Sequence, residues 1–529
     1  MTAGTQGGEG PSRLFVAYLI LTSMVCGALV MVEEVLGSRV IGPLFGVSLF
    51  VWTSLITVTL VALSLGYAAG GFLADRRQGP EWLYGIILLA GALVILIPFL
   101  KVPVLKGCLP LGLRSGALVS SLVLFGPSLF LLGCVSPYLI RIAAREMASI
   151  GRTVGLFYAL STVGSFIGTV LTGFVLIAWF RVNQIFLGCG VILIALAAGY
   201  FALFARRRAL LILPILPLFL LTPDPVMTKL LPNGVRATKL IDRDTFYGNL
   251  KVVEYEIGPS RTREMMLDGL VQGGIDVNRG ISAYNASYFL GMLPYGMNPG
   301  GRECLVIGVG PGSTPTWYER RGIRTDVVDI NPEVIGAAES LFGMIVSGEK
   351  VTEDARYFLN NAKKRYDYVV LDVFNGETSP GHVLSIEAFR LIRDRMSGQG
   401  ILAINFVADL KTDTFPLASV VRTLEQVFMT VEINPLIDPA TGDGVGNVVI
   451  LAYDRPSLPF NFETVRDIPV HHLAYPVVSR FMGKKYRFTP NVPGTILTDD
   501  YNPLDWYDIR IKEKFRKLVL EAIDRDVLL

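Results

Sequence analysis

Up to Pro223 the apolar residues come in long unbroken runs; beyond it they come in short ones separated by charge. Six of the long runs have the ~20 residues needed to cross a bilayer: Leu14 to Val32, Val47 to Leu73, Trp82 to Leu100, Gly116 to Ile140, Val154 to Phe180 and Val182 to Leu203. A seventh, Ala209 to Leu221, is short and carries Pro214 and Pro217. At ~1.5 Å per residue it falls short of the ~30 Å hydrocarbon core. Met1 to Ser12 is rich in Gly, Thr and Ser and reads as a disordered tail.

After Pro223 the period shortens. "RATKLIDRDTFYGNLKVVEYEI" and "REMMLDG" alternate apolar and polar positions around "GPS", which predicts a small antiparallel β subdomain between residues 223 and 300. From residue 301 strands and helices alternate: "ECLVIGVG", "RTDVVDI", "EKVTEDA", "YDYVVLD" and "GILAINFV" each precede or follow a helical stretch. The expected fold is therefore an α-helical multi-span membrane domain (13–222, six or seven spans) joined to a doubly wound, Rossmann-like α/β domain (301–529).

Composition agrees with a membrane part, since 51% of the 529 residues are hydrophobic. The positive-inside rule places Arg13, Arg76, Arg77, Arg141, Arg145, Arg152 and Arg206 to Arg208 on the cytoplasmic side. Arg39, Lys101, Lys106, Arg114 and Arg181 fall on the other. Six spans put the α/β domain in the cytoplasm, whereas seven would put it outside; the cytoplasmic side is the expectation. A net charge of +3 with no basic stripe argues against nucleic acid. Five cysteines without CxxC spacing and three histidines outside any ligand spacing predict neither a disulfide framework nor a metal site. Glu33 and Glu34 end the first run and are expected in the headgroup region, paired with Arg39. Small residues at Gly164 and Gly168 suit close helix packing.

In open α/β sheets ligands bind at the carboxyl ends of the strands. The first strand ends in Gly308, Gly310 and Gly312, the second in Asp329, the third at Asp354 and the fourth at Asp372. Asp329 lies 21 positions after Gly308, the spacing at which an acid meets ribose hydroxyls. The turn departs from GxGxxG, with Thr314 after "GVGPGS", which favours a single nucleoside over a dinucleotide. Asp372 could instead be a turn or N-cap acid of "DVFNG".

The segments "TFYGNLKV", "LDGLVQ", "VIGVGPG", "VVDINPEVI", "TEDARYFL" and "YDYVVLDVFNGETSP", collinear over about Thr245 to Val407, resemble the spermidine synthases, the polyamine aminopropyltransferases. "DVFNGETSPGHVLS", "LTDDYNPLDW" and "GSFIGTVLTGFVL" look like the branch with a multi-span membrane region in front. The resemblance implies decarboxylated S-adenosylmethionine as co-substrate, an amine acceptor, methylthioadenosine as product and no resident cofactor. It implies a donor site of Gly308, Gly310, Gly312, Asp329, Asp354 and Ala355, with Asp372 as general base. Gln272, Tyr247, Tyr284, Tyr288 and Asn375 would line the acceptor site. A homodimer is also implied. Three departures stand out: Pro311 in the glycine turn, Asn375 where a second acid is expected, and "AYNASYF" without the acid of a Tyr-His-Glu cluster. They leave open a methyltransferase using S-adenosylmethionine itself, or a nucleoside- or polyamine-binding transporter or sensor.

Overall fold

The computed structural model describes residues 13–77, 79–146, 150–205, 207, 209, 213–214, 228–231, 234–373, 380–438, 444–489 and 491–528. The chain divides into two compact units, 1–225 and 226–528.

In the first unit the helices are α1 (Arg13–Phe45), α2 (Leu49–Arg76), α3 (Pro80–Cys108), α4 (Leu113–Leu124), α5 (Gly126–Glu146), α6 (Ile150–Leu171) and α7 (Val182–Leu203). Six helical segments are long and apolar enough to cross a membrane. Two details differ from the sequence expectation. The expected fourth span is broken at Phe125, because Pro127 has no N–H for a continuous ladder and a new helix starts at Gly126. The first helix does not stop at its acids: α1 continues through Val40, Ile41 and Leu44, all buried. Most of residues 209–221 lie outside the described residues.

Helices α1 and α6 approach closely because their contact is made of small residues. A Cβ on Gly164 would overlap the Met24 carbonyl, and one on Gly168 the Ala28 carbonyl.

The second unit holds two sheets. Strands β1 (Thr228–Leu230), β2 (Arg236–Thr245), β3 (Gly248–Ile257), β4 (Ser260–Leu267), β5 (Leu270–Asp276) and β6 (Ile281–Ser282) pair antiparallel in chain order. Asp268, at φ 47, and Gly269, at φ 75, turn β4 into β5. Helix α8 (Asn285–Met297) then leads into the α/β part.

There the strands are β7 (Glu303–Ile307), β8 (Arg324–Asp329), β9 (Lys350–Thr352), β10 (Tyr366–Leu371), β11 (Met396–Asp409), β12 (Thr430–Pro435) and β13 (Val445–Tyr453). Their order across the sheet is β9-β8-β7-β10-β11-β13-β12, with β13 antiparallel to both neighbours and β7 to β11 parallel. The parallel strands are apolar on both faces because helices cover both. Alongside β7 to β11, helices α9 (Ser313–Glu319), α10 (Pro332–Phe342), α11 (Ala355–Asn361), α12 (Ile386–Asp394) and α13 (Phe415–Glu425) follow in turn. Trp317, Val334 and Ala338 pack on one face, and Phe358, Phe389 and Leu417 on the other. Each such buried side chain is worth roughly 1.5–3 kcal/mol. An amphipathic helix, α14 (Ile509–Ala522), lies near the end of the unit. This is an open, doubly wound, Rossmann-like α/β sheet.

Candidate active site

The chain direction reverses helix placement between β7 and β10, and a crevice opens there at the strand ends. It is a cavity of about 770 Å³. Its floor is the turn after β7. Gly308 has φ +87, and a Cβ there would overlap the Asp372 carbonyl. Glycine is therefore required by both conformation and contact. The Gly308 N–H donates to Val328 O, and the Asp372 N–H to Ile307 O, each at 2.9 Å, so the tips of β7, β8 and β10 are tied together.

Asp329 closes the same turn from β8. Its Oδ2 accepts from the Val309 N–H and its Oδ1 from the Asn331 N–H, both at 2.9 Å. Burial raises its carboxyl above the ordinary range, and the two backbone N–H groups offset part of that. Each oxygen keeps a lone pair for a ligand hydroxyl.

Asp354, after β9, caps α11 by accepting from the Arg356 and Tyr357 N–H groups at 2.9 and 3.1 Å. Its other oxygen meets His382 Nε2 at 3.0 Å. Ala355 and Glu353 line the cavity beside it.

Asp372, after β10, is sunk in the cavity wall, and burial pushes its carboxyl up to about 6. The Asn405 Nδ2–H on β11 donates to Asp372 Oδ1 at 2.8 Å, and partly offsets the burial. Asn405 is itself oriented, because its Oδ1 accepts from Asn447 Nδ2 on β13, also at 2.8 Å. The relay makes Asn405 a donor toward the acid. A carboxylate with a midpoint about one unit below neutrality is largely ionised at pH 7 yet basic enough to take a proton.

The opposite wall comes from the antiparallel sheet and α14. Gln272, Tyr247 and Tyr284 line it. Tyr284 donates to Glu264 Oε1 at 2.6 Å. Glu264 is raised by burial, a shift that Tyr284 offsets in part, while burial and the nearby carboxyl hold Tyr284 well above its usual range. On α14, Asp508 Oδ1 pairs with Lys512 Nζ at 2.7 Å. Burial pushes Asp508 up to about 6, with Lys512 pulling the other way. Buried Arg516 donates to Asp268 O at 3.1 Å and fixes α14 to the β4–β5 turn.

The structure thus brings together Gly308, Gly310, Asp329, Asp354, Ala355, Asp372, Gln272, Tyr247 and Tyr284. It places two other candidates elsewhere. Tyr288 is 2% exposed inside the core, with its hydroxyl donating to Ser282 O and accepting from the His471 N–H. Tyr284 is the extended N-cap of α8, at φ -106 and ψ 140, so its ring leaves the chain ahead of the helix, whereas Tyr288 lies within α8 and is buried. Gly312 starts α9 at φ +75, packed against Met344 outside the cavity lining. Asn375 lies outside the described residues. Glu264, Asn405, Asn447 and Asp508 were not anticipated. The acid expected near "AYNASYF" comes from β4 instead. His382, one of the three histidines outside any ligand spacing, meets Asp354. Among the described residues no group of three or more His, Cys, Asp or Glu could hold a metal ion.

No family model matches the chain. Over 199 residues, 36% of the chain, it is 30% identical to the N-terminal histidine N-methyltransferase of Emericella nidulans, covering 33% of that protein. Over 115 residues, 20% of the chain, it is 34% identical to the polyamine aminopropyltransferase of Vibrio vulnificus, covering 38% of it. The chain therefore spans between a third and two fifths of the length of these relatives. Among solved structures, a probable spermidine synthase from Corynebacterium glutamicum aligns over 57% of this chain and 96% of its own, with 14% identity and a TM-score of 0.38. Part of the chain is thus similar, at low identity, to polyamine aminopropyltransferases and to a methyltransferase, both transferases.

Proposed function

We propose that the α/β unit transfers an aminopropyl group from decarboxylated S-adenosylmethionine to an amine, with Asp372 as general base. The nucleoside would lie over the strand tips, its ribose hydroxyls on Asp329, its adenine near Asp354 and Ala355, and its sulfonium beside Asp372. The neutral acceptor nitrogen attacks the carbon next to sulfur. The C–S bond breaks, its electron pair returns to sulfur as methylthioadenosine leaves, and the amine proton passes to Asp372. Gln272, Tyr247, Tyr284 and Glu264 would position the acceptor.

The observation that carries this reading is the charge of the cavity. Glu264, Asp329, Glu353, Asp354, Asp372, Asp508 and Asp524 line it, against Lys512 as its single lysine or arginine among the described residues. Lys512 is already paired with Asp508. Such a lining suits a dication donor and a cationic amine, and offers little to the carboxylate of undecarboxylated S-adenosylmethionine. Methyl transfer remains the second reading, favoured by the 199-residue similarity to a histidine N-methyltransferase.

The reading extends to location: the six apolar helices cross a membrane, the transferase unit is cytoplasmic where its nucleoside donor is made, and the enzyme is a homodimer. Incubating the purified full chain with each sulfonium donor and a panel of amines tests the chemistry. Methylthioadenosine with the decarboxylated donor is expected. S-adenosylhomocysteine alone would transfer the assignment to methylation.

A further inference from the structure

A second chemical centre lies in the helical unit, far along the chain from the nucleoside cavity. Glu33 is residue 21 of the 33 in α1, so it sits near the middle of the helix and not at its end. Its side chain is 3% exposed. Ser128 Oγ–H, from α5, donates to Glu33 Oε1, and Ser128 also reaches Phe125 O at 2.9 Å. Ser128 is the third residue of α5. The pair is buried and ties α1 to α5.

Among the described residues Glu33 Oε2 has no hydrogen-bond partner, although it is buried. A carboxyl kept for architecture spends both oxygens on donors, because an unsatisfied buried polar atom is costly and rare. A metal cation needs several oxygens, and here one carboxyl and one hydroxyl converge. The ligand that such a site accommodates is a proton.

Cys189 on α7 feels Glu33, and α7 carries no charged residue. On α1 itself Glu34 follows Glu33, and Arg39 stands nearer the end of the helix. The charged residues of the other helices stand toward their ends: Asp75 and Arg76 on α2, Glu81, Lys101 and Lys106 on α3, Arg114 on α4, Arg141, Arg145 and Glu146 on α5 and Arg152 on α6. Arg141 is held by Asp75 at 3.3 Å, and Lys101 donates to Asn183 at 2.9 Å. A buried acid inside a helix long and apolar enough to cross a membrane is a functional position by default.

We propose that Glu33 is a proton-binding site of the helical unit, exchanging its proton with the aqueous phase through movement of α1 against α5. The inference rests on the six helices spanning a bilayer and is independent of the transferase chemistry. The test uses the full chain in liposomes. Infrared difference spectra across a pH step should contain a protonated-carboxyl band that Glu33→Gln removes and Glu34→Gln keeps. Labelling of Glu33 by dicyclohexylcarbodiimide should fall about tenfold per pH unit above the midpoint of that band. A titrating band without labelling still supports the site, since the reagent is bulkier than a proton. A wild-type spectrum with no band assignable to Glu33, or a band that does not change with pH, overturns the proposal. Unaltered transferase activity in Glu33→Gln is expected, so the two assignments fail separately.

Discussion

Replacing Asp372 by Asn should abolish turnover and stabilise the protein at the same time. The stabilisation follows from the raised carboxyl. An ordinary aspartate titrates at 3.8, and burial holds Asp372 near 6. Below about pH 4 the group is protonated in both folded and unfolded chains and contributes nothing. As pH rises, the unfolded chain releases its proton first, so folding becomes progressively less favourable until the folded group ionises as well. Above about pH 6 the penalty is complete, and the difference between the two midpoints makes it roughly 3 kcal/mol. An amide escapes it, while its oxygen can still accept the Asn405 hydrogen bond seen at 2.8 Å. Thermal unfolding of the full chain, followed in detergent from pH 4 to pH 8, should show equal melting at the acid end. At pH 8 the variant should melt higher, by roughly 5 °C for ~3 kcal/mol in a unit of this size. Turnover should drop by about 10² to 10⁴. Equal melting at pH 8, or a gain that does not vary with pH, would refute the reasoning about the buried acid.

Further expectations follow from the same geometry. Wild-type turnover should climb about tenfold per pH unit up to pH ~6 and then level off, as rate profiles would reveal. Asn405→Ala withdraws the donor that favours the ionised acid, a bond worth roughly 1.5–3 kcal/mol. Its rate profile should therefore shift upward by about one pH unit or more, with nucleoside affinity retained. Asp329→Asn leaves one of its two backbone N–H groups facing an amide donor and weakens the ribose contact. Calorimetry should find nucleoside binding at least about tenfold weaker. Gly308→Ala forces a positive φ and a clash with the Asp372 carbonyl, at a cost of roughly 3 kcal/mol or more. A variant that melts like the parent would contradict the tightness of that turn.

What the sequence made legible was whatever is local. β-branched runs such as "YDYVVL" announce their strands, and the glycine and acid that follow each run sit at the tips because a parallel sheet exposes them there. Glu264 was hidden because it is one polar position in the alternating strand "SRTREMML", indistinguishable from a solvent-facing residue until sheet and helix close around it. Asn405 and Asn447 are single amides inside apolar strands, and their relay exists only through the β11–β13 pairing. Asp508 and Lys512 reach the cavity from the far end of the chain. The extent of α1 was hidden because Glu33 and Glu34 interrupt its apolar run, while the helix runs on for twelve residues beyond Glu33. Tyr288 was hidden for another reason: the helix begins only after Tyr284, so Tyr284 sits on extended backbone while Tyr288 is a buried helical residue.

The claim on which the enzymatic account depends is that an adenosyl sulfonium or its product rests over Gly308, Asp329, Asp354 and Asp372. Titration calorimetry of the purified full chain with decarboxylated S-adenosylmethionine, S-adenosylmethionine and methylthioadenosine measures this directly. The account predicts saturable binding of the decarboxylated donor and methylthioadenosine, weaker binding of S-adenosylmethionine, and loss of all three in Asp329→Asn. No heat of binding with any adenosyl compound, from protein that melts cooperatively, would contradict it.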